Sequence, residues 1–376
     1  MTDELTVIGL MSGTSMDGVD AAILKTNGVQ VTGRGSTFSL SYSPDERAVL
    51  RQAVEEARFW TQDMDRPAVL DEAEAIVTRR HIEAVAGLLQ FQRGKVDLIG
   101  FHGQTVLHRP ERRWTVQLGD CAAMAAEFGI PVVGDFRQAD VAAGGQGAPF
   151  APLYHRALIR SLPEDAAPAM GPAVVVNMGG VGNVTYIDRE TVLAFDTGPA
   201  NGPVDDWVAA HTSQSYDKGG AIAAKGRVKE DRIREALLHP YFAQDPPKSL
   251  DRLDFTMELA GGLSVEDGAA TLTAFSAICV AQARAHFPAE PVAWIVCGGG
   301  RHNPTLMMMI SAAVPAIVYS AEDMGWRGDH LEAEAFAFLA ARSVKGMPLS
   351  LPTTTGVPGA MPGGVLYEVE KAARRK

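Results

Sequence analysis

The sequence lacks an excess of positive charge, and this absence excludes one broad class of function. The formal net charge is −11, from 34 Lys and Arg residues against 45 Asp and Glu residues. No block of Lys or Arg stands out beyond the last few residues, Lys371–Lys376. Because proteins bind nucleic acid chiefly by neutralising its phosphates, we expect no nucleic-acid partner. The charge does not exclude a small anionic substrate, since a local cleft can be basic on an acidic protein.

Cysteines and long apolar runs are also scarce. The three cysteines, Cys121, Cys279 and Cys297, lie in apolar stretches and lack the spacing of metal ligands. They predict buried, reduced thiols in a cytoplasmic enzyme. No uninterrupted apolar run reaches the length of a membrane span, and no basic and apolar leader precedes the first strand-like run at Leu5. We therefore expect neither a membrane partner nor a signal peptide.

The length and the apolar pattern predict a two-domain α/β protein. At 376 residues the chain exceeds one ordinary core. Runs of strand length, such as Thr6–Leu10 and Val96–Phe101, alternate with helical patterns. Ser43–Arg58 begins with a capping Ser and a Pro, as helices often do, and Arg66–Gln92 has helical periodicity with a candidate break near His81. We expect an N-terminal domain over residues 1–135 and a C-terminal domain over residues 136–376, with the final segment able to pack back on the first domain.

Three glycine-rich loops are candidate anion-binding sites. Met11–Gly18 joins the first two strands, Gly179–Asn183 is the turn of a second hairpin, and Cys297–Gly300 ends an apolar strand before a helix. Small residues let backbone N–H groups approach a phosphate, although no Walker pattern is present. A tight hairpin or a packing turn explains each loop when it is taken alone. The three together favour a nucleotide.

Asp196 is the candidate catalytic carboxylate. It follows the short apolar run Val192–Phe195 and precedes the turn Gly198–Pro199. A kinase needs one carboxylate to orient and deprotonate the attacking oxygen, and a strand end would hold that group rigidly. The same position also suits a cap of the helix that follows. The pattern alone leaves both interpretations open.

Two polar stretches are candidates for sugar recognition. His102–Thr105, with His108, and Asp135–Pro149 hold many neutral hydrogen-bonding groups, as sugar hydroxyls require. Arg137 supplies a fork for a substrate carboxylate. The structural alternatives are that His102 satisfies a core carbonyl, that Asp140 caps a turn and that the glycine run only crosses between domains. A metal site at the two histidines is disfavoured, because no third ligand has suitable spacing.

Taken in order, these motifs resemble the signature of the anhydro-N-acetylmuramic acid kinase family. The matching stretches are Gly9–Leu24, His102–Thr105 with His108, Gly134–Pro149, Asn177–Asn183, Phe195–Pro199, Cys297–Leu306, Leu331–Leu339 and Gly356–Tyr367. The resemblance implies two actin-like (ribonuclease-H-like) α/β domains, each with a mixed sheet flanked by helices, around a nucleotide cleft. It also implies a homodimeric kinase of cell-wall recycling. In that family, water opens the 1,6-anhydro ring and ATP phosphorylates the released 6-oxygen.

The resemblance assigns roles to individual residues, with Asp196 as the general base. The implied ATP-binding residues are Gly13, Thr14, Ser15, Met16, Asp17, Gly18, Val19, Asp20, Gly179, Gly180, Asn183, Gly298, Gly299, Gly300 and Asn303. The implied substrate-binding residues are His102, Gln104, Thr105, Arg137, Asp140 and Glu332. Mg²⁺ is expected with ATP, but its ligands are unassigned. Leu10 stands where many sugar kinases of this fold carry an Asp, which leaves Asp17 and Asp20 as candidate Mg²⁺ ligands. Ala200 stands where this family usually has Gly.

Overall fold

The computed structural model describes residues 4–250 and 254–369. The basic segment Lys371–Lys376 lies outside the described residues. In chain order, the strands are β1 (Leu5–Ser12), β2 (Gly18–Thr26), β3 (Val31–Ser41), β4 (Leu98–Arg109), β5 (Trp114–Leu118), β6 (Val132–Gly134), β7 (Ala173–Met178), β8 (Val181–Asp188), β9 (Thr191–Pro199), β10 (Ala293–Cys297), β11 (Ile317–Ser320) and β12 (Val365–Tyr367). The α-helices are α1 (Pro44–Ala57), α2 (Ala68–Leu89), α3 (Cys121–Phe128), α4 (Gln138–Ala142), α5 (Pro152–Arg160), α6 (Asn201–His211), α7 (Glu230–Ala236), α8 (Val265–Gln282), α9 (Pro304–Ala313), α10 (Leu331–Val344) and α11 (Pro352–Thr355).

The chain divides into two compact units. Of the described residues, those up to Ser161 and from His330 onward form unit 1, and those between Leu162 and Asp329 form unit 2. The stretch after residue 135, expected to begin the second domain, groups with unit 1. The reason is a tertiary contact. The Gln146 N–H donates to the Thr355 carbonyl at 2.6 Å and links this stretch to the C-terminal part of the chain. The division into functional domains at residue 135 stays a prediction.

Unit 1 is built on a mixed sheet with the strand order β12-β6-β4-β1-β2-β3, and β5 pairs with β4. The pairs β1–β4 and β4–β6 are parallel, and the others are antiparallel. Helix α10 packs against β1 and β4 at very short range. A Cβ on Gly9 would lie 1.8 Å from the Ala333 carbonyl oxygen, and one on Gly100 would lie 2.4 Å from that of Phe336. Glycine at both positions therefore allows this contact.

Helices α1 and α2 pack on each other, and α2 also packs against β2 and β3. The predicted helix over Ser43–Arg58 is confirmed, because Ser43 and Glu46 form a reciprocal capping box at the start of α1. The candidate break near His81 is wrong: α2 runs unbroken over Ala68–Leu89. The buried His81 ring bonds the Val77 carbonyl of its own helix at 2.7 Å, so it needs no break to find a partner.

Unit 2 is built on a second mixed sheet with the strand order β11-β10-β7-β8-β9. The hairpin β7–β8 continues antiparallel into β9, and β10 lies parallel between β7 and β11. The strands β1, β2, β3, β4 and β6 of unit 1 are arranged in the same way, so the similarity of the two glycine-turn hairpins extends to strand order. Helix α8 packs on β9, α6 and α9. The α/β class with two mixed sheets flanked by helices is confirmed.

Among residues 4–250 and 254–369, each helix is either too short or too polar to cross a membrane.

Candidate functional site

Asp196 lies inside strand β9, whereas the sequence predicted that it follows a strand ending at Phe195. The pairing with β8 is irregular at this point. Asn183 faces Asp196 and Gly182 faces Gly198, so Thr197 is an extra residue in the strand. Such a bulge bends a strand and re-aims its side chains, and bulges are frequent beside active sites. The candidate carboxylate is thus next to an interruption of the ladder.

The contacts of Asp196 test the interpretation of this residue as a helix cap. Helix α6 begins after Ala200, whose side chain makes no capping hydrogen bond. The Asp196 Oδ2 instead accepts a hydrogen bond from the Leu250 N–H at 2.9 Å. The Asp196 N–H donates to the Lys248 carbonyl at 3.0 Å, and its carbonyl accepts from the Tyr241 hydroxyl. The helix-cap interpretation is therefore wrong.

The Asp196 carboxyl has an unusual affinity for a proton. Burial raises its pKa from the ordinary aspartate range to about 7, and the hydrogen bond from Leu250 opposes this shift only in part. The side chain keeps partial access to solvent. A carboxylate with a pKa near the working pH can both take up and release a proton, which is the property that a general base requires.

The glycine-rich loops of unit 2 meet at one end of its sheet. The carbonyl of Gly179 in the hairpin turn accepts from the Asn201 N–H at 2.9 Å, and that of Gly180 accepts from the Ala200 N–H at 3.1 Å. Gly298 has a φ of +73°, and a Cβ there would lie 2.3 Å from an oxygen of Asn177, on the first strand of the hairpin. The loops after β7 and β10 are therefore in contact, as a shared phosphate site requires.

The other predicted nucleotide residues of unit 2 take different positions. A Cβ on Gly299 would meet only the Asn201 amide, 3.9 Å away, so Gly299 is on the open side of its loop. Gly300 is buried, and a Cβ there would lie 2.5 Å from that of Met178. Asn303 caps α9, because its side chain accepts from the Leu306 N–H at 3.0 Å. Asn303 thus has a structural task at the start of this helix.

The first glycine-rich loop forms the turn between β1 and β2 of unit 1. The Met16 N–H donates to the Gly13 carbonyl at 3.1 Å, and the two hydroxyl residues at the tip, Thr14 and Ser15, are exposed. A Cβ on Gly13 would meet only the Ser15 hydroxyl, 3.7 Å away. Val19 is buried in the core, so only its backbone could contact a ligand. This loop is open and carries hydroxyl donors.

Asp17 and Asp20 are the acidic residues of this hairpin. The exposed Asp17 accepts from the Ser15 hydroxyl at 2.7 Å. Asp20 accepts from the Ser39 hydroxyl at 2.6 Å and lies 3.8 Å from His330 Nδ1. Within the described ranges, no three His, Cys, Asp or Glu side chains form a metal-binding group. Nucleotide-bound Mg²⁺ needs only one or two protein carboxylates besides phosphate and water, so either residue fits that role.

The HGQT stretch lies within β4, which continues to Arg109 well beyond the predicted end at Phe101. The Ser12 hydroxyl, at the end of β1, donates to Gln104 Oε1 at 2.6 Å, and both residues are buried. The Thr105 hydroxyl accepts from Gln117 Nε2 at 3.3 Å. Gln104 is therefore linked directly to the strand that leads into the first glycine-rich loop.

His102, which is buried, and Arg137, which is partly buried, form a hydrogen-bonded pair in unit 1. The Arg137 Nε donates to His102 Nε2 at 2.8 Å, and His102 Nδ1 donates to the Gly103 carbonyl at 2.8 Å. Burial, reinforced by the Arg137 charge, lowers the pKa of His102 well below its usual value. The neutral ring thus satisfies a main-chain carbonyl, as the structural alternative proposed, and also orients the guanidinium.

Among the described residues, Arg137 contacts only neutral groups. Its Nη1 donates to the Gly147 carbonyl at 2.5 Å, and its guanidinium lies 5.4 Å from the centre of the Phe150 ring. Burial lowers its pKa to about 10, against the opposing charges of Glu332 and Asp140. Within the described part of the chain, its contacts include no carboxylate partner. The group is therefore suited to an anionic ligand.

Asp140 and Glu332 differ in their exposure to solvent. Asp140 is 2% exposed, and its two oxygens accept from the Gly147 N–H at 2.7 Å and from the Thr355 hydroxyl at 2.6 Å. It therefore holds the glycine run in place. Glu332 is exposed in the first turn of α10, and its carboxyl group interacts electrostatically with both Arg137 and Asp20. Glu332 thus lies within the electrostatic reach of both the loop and the arginine.

Sequence reasoning missed the residues that surround Asp196. Tyr241, Lys248 and Leu250 contact it from a segment about fifty residues further along the chain, in which no motif or periodicity marks them. Ser12 lies inside the first matching stretch but was not singled out, although its hydrogen bond to Gln104 joins two of the predicted sites.

Known proteins resemble this chain along nearly its whole length. Residues 5–369 match the family described as anhydro-N-acetylmuramic acid kinase. The protein of that name from Bradyrhizobium diazoefficiens is 52% identical over 367 residues, covering 96% of this chain and 99% of the relative. That from Methylorubrum extorquens is 48% identical over 375 residues, covering 96% and 98%. These relatives place the chain among the carbohydrate kinases. More narrowly, it belongs to the family of anhydro-N-acetylmuramic acid kinases.

Among solved structures, the chain is similar to a ROK family glucokinase from Streptomyces griseus in complex with glucose and AMPPNP. The identity is 16% and the TM-score is 0.42, with 90% of this chain and 99% of that chain covered. The chain's membership of its family rests on the sequence relatives.

Proposed function

We propose that this protein converts 1,6-anhydro-N-acetylmuramic acid, ATP and water to N-acetylmuramic acid 6-phosphate and ADP, in the recycling of cell-wall peptidoglycan. The observation that carries the proposal is the Asp196 carboxyl, which is held beside a strand bulge with a pKa of about 7, in a chain of this family. The glycine-rich loops and the polar network around Arg137 support it.

In the proposed reaction, Asp196 accepts a proton from the water that attacks the anomeric carbon. A carboxylate that activates water opposite the leaving oxygen has the geometry of inverting glycoside cleavage. The bond between the anomeric carbon and the 6-oxygen breaks, and the 6-oxygen forms its new bond to the γ-phosphorus of ATP as ADP departs. No separate acid is required, because the phosphoryl group captures the charge that develops on this oxygen.

The nucleotide phosphates are proposed to contact the backbone of the glycine-rich loops. Met11–Gly18 supplies exposed hydroxyl groups, and Gly299 is on the open side of its loop. Mg²⁺, when bound with ATP, would neutralise phosphate charge, and Asp17 or Asp20 would hold it. Asn183 pairs with Asp196 across the sheet and would support the base from β8.

The lactyl carboxylate of the sugar is proposed to pair with Arg137. The guanidinium is oriented by neutral His102 and has no carboxylate partner among the described residues, so a substrate carboxylate would complete its coordination. Gln104, Thr105 and Glu332 are proposed to bind the polar groups of the ring. Asp140, both of whose oxygens have partners within the protein, would act by holding the Gly147 carbonyl against Arg137.

The proposed function is tested by measuring ADP release from ATP with 1,6-anhydro-N-acetylmuramic acid, glucose or N-acetylglucosamine as the added sugar. We expect strong stimulation by the anhydrosugar alone, and a product whose mass equals that of the substrate plus water and one phosphoryl group. Stimulation by an ordinary hexose would instead support another sugar kinase. ATP turnover that ignores every sugar would support a nucleotide-regulated scaffold.

Two further proposals concern the state of the protein in the cell. We propose a cytoplasmic location, because all three cysteines are buried thiols, as expected for a reducing compartment. We also propose a homodimer, which sedimentation of the purified protein tests directly. A single species of the 40.0 kDa chain mass would contradict it.

A further inference from the structure

A short segment of unit 2 holds Asp196 at three points. We call Tyr241, Lys248 and Leu250 the Asp196 clamp. The Lys248 carbonyl accepts from the Asp196 N–H at 3.0 Å, the Leu250 N–H donates to Asp196 Oδ2 at 2.9 Å, and the Tyr241 hydroxyl donates to the Asp196 carbonyl. Asp196 lies on β9, the edge strand of its sheet, beside the bulge at Thr197. The clamp therefore supplies hydrogen bonds where the sheet has no further strand.

Lys248 links the parts of this clamp. Its Nζ donates to the Tyr241 carbonyl at 3.2 Å and lies 4.8 Å from the centre of the Tyr241 ring and 5.8 Å from that of Phe195, the residue before Asp196. The residue is only 8% exposed. A buried ammonium is costly, and an apolar side chain of the same length would fill this space at lower cost. The charged group is therefore better explained by a task than by packing alone.

We propose that Tyr241 and Lys248 are positioning residues, which fix the Asp196 peptide, and with it the carboxylate, in the orientation that the reaction needs. This inference rests on the proposed function. Tyr241 acts through the Asp196 carbonyl, and Lys248 acts by holding Tyr241 in place. The contribution of such residues is geometric, since a displacement of about 1 Å at a reacting group can lower a rate by about 10²-fold.

The first arm of the test is kinetic. Tyr241→Phe removes only the hydroxyl, and Lys248→Met keeps the length of the side chain without its charge. We expect Tyr241→Phe to lower kcat about tenfold and Lys248→Met by a smaller factor, with KM for sugar and ATP changed less than about twofold. Tyr216→Phe is the matched control, because Tyr216 is 50% exposed on the same unit, and it should match the wild type.

The second arm measures the carboxyl group itself by carbon-13 NMR of aspartate-labelled protein, with Asp196→Asn to assign the resonance. We expect the Asp196 pKa to fall in Tyr241→Phe, because a released carboxylate gains water. The titratable and charged groups around the clamp, besides Asp196, are Asp245, Asp254, Cys279 and His286. Thermal unfolding of each variant is recorded alongside, because a purely structural role would lower the midpoint without changing kcat or this pKa.

The two arms separate this inference from the proposed function. Tyr241→Phe with kcat within about twofold of the wild type and an unchanged Asp196 pKa would overturn the positioning role, whatever its thermal midpoint. Full activity of Asp196→Asn would overturn the proposed role of Asp196 itself. In that case, a fall of the Asp196 pKa in Tyr241→Phe would still support the clamp as the device that orients this carboxyl, and an unchanged pKa would overturn it.

Discussion

Replacement of Asp196 by Asn changes little except the ability to take up a proton. Asn is nearly the same size, and its side-chain oxygen can still accept from the Leu250 N–H. Both backbone contacts, to Lys248 and Tyr241, are independent of the side chain. We therefore expect Asp196→Asn to fold normally and to lose ring opening and phosphorylation together, by about 10²–10⁴-fold, the usual cost of removing a general base.

The same variant should be more stable than the wild type, by an amount that depends on pH. The folded pKa is about 7, and an unfolded aspartate has a pKa of about 4. Because the folded value is raised, the wild type loses stability as the pH rises from about 4 to about 7, where only the unfolded side chain ionises. Three pKa units correspond to about 4 kcal/mol, and partial exposure reduces the expected gap to about 1–3 kcal/mol.

The assay combines activity with urea unfolding at about pH 5 and about pH 8, since the gap at the first pH should be about a third of the full gap at the second. Wild-type kcat/KM should also fall as the pH drops below about 7, because the base becomes protonated. A folded Asp196→Asn variant that keeps more than about a tenth of the activity would refute the catalytic role. A stability gap that is equal at both pH values would refute the burial argument.

Three further outcomes are expected. Arg137→Ala should raise KM for the anhydromuramyl sugar at least about tenfold while KM for ATP changes less than about twofold; equal effects in initial-rate kinetics would leave Arg137 with a structural role only. Asp17→Asn or Asp20→Asn should raise the Mg²⁺ concentration that gives half-maximal activity, and a magnesium titration in which neither variant differs from the wild type would exclude both as ligands. Ser43→Ala should lower the free energy of unfolding by about 1 kcal/mol with kcat unchanged, as measured by urea titration; an unchanged midpoint would contradict the capping box.

Local signals in the sequence predicted the local parts of the fold. Ser43, Pro44 and Glu46 mark the start of α1, and the glycine turns mark both hairpins, because caps and turns depend on a few adjacent residues. The two glycine-rich loops of unit 2 were predicted separately, and the structure shows them in contact.

Strand ends were predicted poorly wherever polar residues lie inside a strand. The apolar run before His102 stops at Phe101, and the one before Asp196 stops at Phe195, but β4 and β9 both continue. Backbone pairing holds these strands, and the polar side chains find partners in the tertiary structure, so an apolar pattern underestimates their length. At both candidate sites, the local sequence pattern and the tertiary structure therefore disagree about where the strand ends.

Partners distant in sequence could not be predicted at all. Tyr241 and Leu250 reach Asp196 across about fifty residues, and Thr355 reaches Asp140 across more than two hundred. The latter contact, with that of Gln146 to the same residue, is why the stretch after residue 135 groups with unit 1. Such contacts follow from the assembled fold, and a single sequence that is not compared with its relatives carries no signal for them.

The central claim is that water adds to the anomeric carbon while phosphate is transferred to the 6-oxygen, and the fate of labelled water tests it most directly. The protein is incubated with 1,6-anhydro-N-acetylmuramic acid and ATP in ¹⁸O-water, and the product is analysed by mass spectrometry at early times. Unlabelled product held in the same water serves as the control for spontaneous exchange. We predict one ¹⁸O at the anomeric position and none in the phosphate group. Label in the phosphate, or a product that lacks the anomeric label at the earliest time, would contradict the account.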